Sequence, residues 1–102
     1  MLSGANYMGQ VNGSMISFMN RHFCIGGGPS KGTRLTHPTR ILSVFAQGAP
    51  TAVPAFEENY RWYHDIFVGM GFEDGGRFVV HGAPDLENAA LRQAAYEAGK
   101  NL

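Results

Sequence analysis

Ile41-Leu42-Ser43-Val44-Phe45-Ala46, running into Gln47-Gly48-Ala49-Pro50-Thr51-Ala52-Val53-Pro54, is where the fold is decided. The first six residues are rich in β-branched and aromatic side chains and lack a clean polar alternation. A near-continuous apolar run of this kind reads as a strand buried on both faces, as in a parallel sheet. The Gly- and Pro-bearing stretch ends it. Loops at the carboxyl ends of parallel strands are where ligands bind in open α/β sheets.

Downstream, Ala55–Gly71 reads as the clearest helix. Phe56, Tyr60, Tyr63, Phe67 and Met70 recur at helical spacing on one face. Pro54 suits a first helical position, and Glu57 and Glu58 suit the positive end of the helix dipole. Gly71 is placed to end the helix in the left-handed region. Trp62 and Ile66 lie off the main stripe, so the helix is apolar on more than one side, as in deep burial or a subunit interface. A second strand falls within Phe72–His81, most clearly at Arg77–His81, and Gly82-Ala83-Pro84 breaks it. Asp85–Leu102 reads as a last helix with Leu91, Ala94, Ala95, Ala98 and Leu102 as its buried stripe, Asp85 or Asn88 as cap, and Lys100 at its negative end.

Upstream, Ile25–Arg40 reads as a long loop. Its Gly26-Gly27-Gly28-Pro29-Ser30-Lys31-Gly32-Thr33 run lacks the Gly-Lys-Ser/Thr order of a Walker loop. Long loops in small domains tend to be functional or to sit at an interface. Before it, Gly13–Phe23 reads as a helix with Met15, Ile16, Met19 and Phe23 on one face, a pattern of core packing. Asn12 is its N-cap. Asn6–Gly13 is read as a short polar and glycine loop: on its own residues an ordinary turn into the helix, or else a turn whose main chain a flat ligand can approach closely. Met1–Ala5 is either loop or the last stub of a strand.

The order is therefore loop, helix, long loop, strand, helix, strand, helix: an α/β arrangement in one domain over 1–102, with a loop at 1–13 and another at 26–40. Two parallel strands and three helices need neighbours on both edges. An oligomer or a complementing chain is expected.

Composition narrows the function classes. Formal net charge is zero, so no electrostatic footprint for nucleic acid or an anionic membrane is present. Charged residues make up 16%, against a typical share of about 25%. The single cysteine, Cys24, excludes an internal disulfide framework and fits a reducing compartment. No apolar run reaches the length of a membrane span, and a cytoplasmic protein is expected. His22, Cys24, His37, His64 and His81 fit no compact zinc spacing, so no metal is expected. Cys24 reads as a buried thiol rather than a nucleophile. His64-Asp65 reads as a solvated or interface pair. Arg34 and Arg40 flank the long loop, where they either meet a phosphate or keep the loop soluble.

Asn6-Tyr7-Met8-Gly9-Gln10-Val11-Asn12-Gly13 with Phe18-Met19-Asn20-Arg21 resembles the segment after the third strand of NAD(P)H-dependent FMN reductases. These belong to the flavodoxin-like superfamily, with the multimeric quinone reductases and iron–sulfur flavoproteins. Ile41–Ala46 with Gln47-Gly48 resembles that family's fourth strand and its Gly-containing loop. Gly69-Met70-Gly71-Phe72-Glu73 and Ala89–Leu102 resemble its later helix ends. The likeness covers nearly all of this chain and about the C-terminal half of the family's fold. It implies a partial flavodoxin-like parallel sheet with flanking helices, and an oxidoreductase using FMN and NAD(P)H. It further implies that Asn6, Tyr7, Met8, Gly9 and Gln10 contact the flavin ring, and that Gln47 and Gly48 add a second wall; no catalytic residue is assigned. Ala5 stands where the family has Pro, and Asn20 where it has Asp. The family's phosphate loop and cysteine cluster have no counterpart. The alternative expectation is a non-catalytic α/β module that oligomerises without flavin.

Overall fold

The computed structural model describes residues 1–26, 33–82 and 89–102. In chain order the elements are β1 (Leu2–Tyr7), β2 (Gln10–Val11), α1 (Gly13–Arg21), a single 3₁₀ turn (Phe23–Gly26), β3 (Arg40–Gln47), α2 (Pro54–Gly69), β4 (Glu73–His81) and α3 (Ala89–Lys100). The strands form one mixed sheet in the order β2-β1-β3-β4. β1, β3 and β4 run parallel, and β2 folds back antiparallel on the end of β1. The α/β class and the parallel pairing of β3 with β4 are as expected.

β3 lies between two neighbours, and Ile41, Leu42, Ser43, Phe45 and Gln47 are all buried. That central place explains its lack of alternation. On one face, Val11, Met15, Met19, Ile41, Phe45, Tyr60, Tyr63 and Phe67 form the core. α1 and α2 thus share that face. The Phe45 and Tyr60 rings stack there with centroids 4.7 Å apart. The expected stripe of α2 holds: Tyr60, Tyr63 and Phe67 are buried, with Phe56 and Met70 half-buried against them.

Both helix ends on this face follow local chemistry. Asn12 caps α1, its side-chain oxygen accepting the Met15 N–H at 2.9 Å. α2 starts at Pro54 and stops where Gly71 turns to φ +99°. There Gly71 N–H bonds to the Val68 carbonyl and Phe72 N–H to the Phe67 carbonyl, the paired bonds of a Schellman ending.

The N-terminal segment corrects the expected loop at Asn6–Gly13. The chain runs as β1 through Tyr7, turns at Met8-Gly9 and returns as β2, with Tyr7 opposite Gln10 and Asn6 opposite Val11. Met8 and Gly9 both have positive φ, 54° and 81°. This is a type I′ pair, whose twist suits a two-residue hairpin. Its usual sequence mark is Asn-Gly or Asp-Gly; Met-Gly hides it. Of the two readings of Met1–Ala5, the strand is the one adopted, with Leu2 to Ala5 paired to Ser43 to Ala46.

β4 contains an irregularity. Ile41 pairs with Asp74 but Ser43 with Arg77, so Gly75 and Gly76 together oppose Leu42. A Cβ at Gly75 would lie 2.7 Å from the Ile41 carbonyl oxygen, and Gly76 sits at φ +113°. Glycine is required at both.

Other differences are smaller. α1 ends at Arg21, two residues short of the expected Phe23. α3 packs on β4 and buries no residue fully: Leu91, Ala95 and Ala98 are half-buried, Ala94 and Leu102 exposed. The caps expected at Asp85 or Asn88, and most of the glycine run in the long loop, lie outside the described residues. No helix among the described residues is long and apolar enough to cross a membrane.

Candidate functional site at the carboxyl ends of the strands

The carboxyl ends of β1, β3 and β4 bring together the β1–β2 hairpin, the Gly48–Val53 loop and Gly82. Gly82 N–H bonds to the Ala49 carbonyl and ties the last two. α2 begins at this end, and three of its side chains hold the hairpin. Asn59 Nδ2 donates to the Gly9 carbonyl at 2.9 Å. The Tyr63 hydroxyl donates to Gln10 Oε1 at 2.7 Å. The Tyr60 hydroxyl accepts from Asn6 Nδ2 at 2.6 Å and donates to Gln47 Oε1 at 3.2 Å. Gln47 Nε2 then donates to the Thr51 carbonyl at 2.8 Å.

Asn6, Tyr60, Gln47 and Thr51 therefore form one directed chain of hydrogen bonds from β1 through α2 to the loop after β3. Burial raises the Tyr60 pKa, Glu57 adding to the rise and the Asn6 hydrogen bond opposing it. The phenol stays protonated, as the donor role requires.

All seven expected site residues fall at this end of the sheet, in two groups. Asn6, Gln10 and Gln47 turn their side chains to α2, while the Gly9 carbonyl is held by Asn59 and its Cα faces Phe56 at 3.2 Å for a notional Cβ. Tyr7, Met8 and Gly48 face outward. Tyr7 is 65% exposed and Met8 fully so. Nothing lies within 4 Å of a Cβ built on Gly48. The outward surface is thus a tyrosine, a methionine and bare main chain, on a hairpin that α2 holds rigid.

Sequence reasoning read Tyr60 and Tyr63 as core alone and passed over Asn59. The available signal was the i, i+1, i+4 grouping of hydrogen-bonding side chains about the middle of a helix entering from a strand end.

A second buried array lies further down α2. Ser43 Oγ is 2.8 Å from His64 Nδ1, and His64 Nε2 is 3.0 Å from Asp74 Oδ1. Asp74 also accepts the Gly76 N–H at 2.8 Å. This corrects the reading of His64 as a solvated partner of Asp65: His64 is buried. A neutral ring that donates from Nε2 to Asp74 and accepts the Ser43 hydroxyl at Nδ1 satisfies every group. Serine, histidine and carboxylate in line is the order of a hydrolytic triad. Ser43, however, is fully buried, and its hydroxyl meets no substrate. The Gly76 N–H, and after it His64, hold the Asp74 carboxyl below its usual range, against the opposing effect of burial. The signal missed in the sequence was Ser43 itself, since a hydroxyl in a buried strand requires a partner.

The remaining candidates stand apart from both arrays. Cys24 is exposed rather than buried, its Sγ 3.8 Å from the Arg21 carbonyl; the chain has already left α1 and turns outward there. Arg40 bonds the Asn101 carbonyl at 2.7 Å and pairs with Glu73 at 3.8 Å, so it faces the end of α3 and not a phosphate. Arg34 is exposed. His81 Nε2 lies 3.3 Å from Glu57 Oε1, and Arg77 donates to the Glu57 carbonyl at 2.9 Å. Among the described residues, no three of His, Cys, Asp and Glu converge as metal ligands do.

No protein-family model matches the chain, and neither the curated proteins nor the solved structures contain one that matches it.

Proposed function

We propose that this chain is a C-terminal portion or a short form of an FMN-dependent NAD(P)H oxidoreductase of the flavodoxin-like kind, working in the cytoplasm as a homo-oligomer or with a complementing N-terminal half. One observation carries the reading. The residues the resemblance assigns to the flavin gather at the carboxyl ends of adjacent parallel strands, the place where open α/β sheets bind ligands.

The residues fit one side of a flavin ring. Tyr7, Met8 and the main chain at Gly48 are exposed, and the open space at Gly48 admits a flat group against the backbone. Asn6, Gln10 and Gln47 act from behind, fixing the hairpin and the loop to α2. In this reading the flavin phosphate is held by the complementing segment. Bound FMN supplies hydride acceptance from NAD(P)H. The chain's own residues orient the ring and keep water from one face.

The alternative is a non-catalytic module that oligomerises without flavin. It is favoured by the internal bonding of Asn6, Gln10 and Gln47, each of which spends a side-chain group on a partner within the chain.

An FMN titration followed by flavin fluorescence separates the two. The first reading expects stoichiometric quenching. It also expects Gly48→Val to weaken binding by about tenfold or more, the scale set by losing roughly 1.4 kcal/mol of contact, with an unchanged melting temperature. A folded chain that binds no FMN at high micromolar concentration, or a Gly48→Val variant that binds as well as the parent, overturns it in favour of the second.

A further inference from the structure

The two edges of the sheet are built in opposite ways. β4 carries the devices that keep edges from pairing: the Gly75-Gly76 bulge and the polar series Glu73, Asp74, Arg77 and His81. The open part of β1 is Leu2-Ser3-Gly4-Ala5, with no charge, no proline and no bulge. β2 covers only its last two residues, Asn6 and Tyr7.

The direction of the free main-chain groups follows from the hairpin. Tyr7 and Gln10 flank its two-residue turn, so the Tyr7 N–H and C=O point toward β2. Alternation turns the same groups of Ala5 and Ser3 to that side, beyond the point where β2 stops. The pairing of β1 with β2 ends at Asn6 and Val11. Ser3 and Ala5 thus present donors and acceptors along an uncharged edge.

We propose that this edge pairs with the same edge of a second copy, antiparallel across a two-fold axis, with Ser3 opposite Ser3. The register is forced by β2. In an antiparallel pair, outward-facing residues must oppose outward-facing residues. Centring the axis on Gly4 drives Leu2 into the space that Val11 of the other copy occupies, and centring it on Ala5 drives Ser3 into the space of Gln10. Centring it on Ser3 sets Leu2 opposite Gly4 and Met1 opposite Ala5, and stops short of β2.

A second copy is the occupant because Leu2–Ala5 complements itself in this register: Ser3 meets Ser3, and Leu2 meets the small Gly4. The segment is uncharged on both sides of the axis, in a chain of zero formal net charge, and one isologous contact covers both edges at once. The joined sheet then ends on two β4 edges, the protected ones. This partner assignment deepens the oligomer of the preceding section and stands whether or not the chain binds flavin.

Sedimentation of the full chain at micromolar concentration tests it. A dimer is expected. Ser3 is exposed, so Ser3→Lys and Ser3→Glu leave the fold intact, and each sets like charges directly opposite one another. Each variant alone is expected to raise the dimer dissociation constant by roughly tenfold or more. An equimolar mixture of the two is expected to restore dimers, seen as the mixed species by native mass spectrometry. Hydrogen exchange needs no variant: the Ser3 and Ala5 amides gain protection as protein concentration rises. A monomeric parent chain overturns the proposal. So does a dimer that survives both single variants, or one that Trp62→Ala dissolves while they do not.

Discussion

α2 reaches β3 twice, one helical turn apart, and the two contacts are made of different chemistry. Tyr60 meets Gln47 near the carboxyl end, and His64 meets Ser43 four residues earlier on the same strand face. Phe45 lies between them, stacked on Tyr60. The Tyr60 array uses amides and a phenol, and it ends on a hairpin and a loop. The His64 array uses an imidazole and a carboxylate, and it ends on the Gly75-Gly76 bulge. Both satisfy the polar atoms they bury: among the described residues no buried side-chain nitrogen or oxygen lacks a partner. One helix face thus positions both ends of the sheet, with neutral groups behind the exposed hairpin tip and loop and ionisable groups at the other end.

The comparison breaks most sharply at Tyr60. Tyr60→Ala removes the ring from Phe45 and leaves Asn6 and Gln47 unpaired, an expected loss of about 4 kcal/mol in urea unfolding. Smaller and mutually comparable losses are expected from deleting one hydroxyl in each array. Tyr60→Phe and Ser43→Ala should each reduce stability by about 1–2 kcal/mol. If only one of them does, the arrays are not equivalent as fastenings. Their hydrogen-exchange patterns should differ in any case, with Tyr60→Phe loosening the hairpin amides and Ser43→Ala loosening the start of β4.

The arrays also separate along the pH scale. Asp74 is shifted below its ordinary value of 3.8. Its contribution is therefore present above that value and fades as pH falls through the lower folded-state value. Tyr60 is shifted above 10.0. Its contribution is complete below that value and fades as pH rises through the higher one. Asp74→Asn should flatten the acid limb of a stability–pH curve, and Tyr60→Phe the alkaline limb. Asp74 is largely exposed, so its limb should be the shallower, as screening by solvent requires. The smallest effect is expected at the hairpin tip. Met8→Gly relieves a side chain held at φ 54° and should stabilise by about 0.5–1 kcal/mol in urea unfolding. A loss there would mean that Met8 makes a contact the conformational strain conceals.

Much of this architecture was legible in the residues. β3, the long stripe of α2, the Asn12 cap and the Gly71 ending all follow from local rules that tertiary packing then used. The hairpin was not legible, because Met8 is a poor emblem of a left-handed turn and tertiary bonds from Asn59 and Tyr63 supply what the turn sequence lacks. The Ser43–His64–Asp74 array was hidden for a different reason. Its members lie on three separate elements, and no one-dimensional spacing joins residues 43, 64 and 74. The seven expected site residues lie at one end of the sheet. Which side chains face inward depended on α2, whose polar residues had been read only as a stripe.

The Gly75-Gly76 pair has one more consequence. It is an inserted beat in the two-residue rhythm of β4. Asp74 faces α2, and so do Arg77, Val79 and His81, an odd step across the glycines. Threaded through a regular strand with no bulge, the same residues would run on unbroken from Asp74, and Phe78 and Val80 would take the α2 side. The bulge is a spare beat held in store: deleting one glycine would leave Arg77, Val79 and His81 on the α2 face of a regular strand, whereas a residue inserted after it would turn every later side chain over.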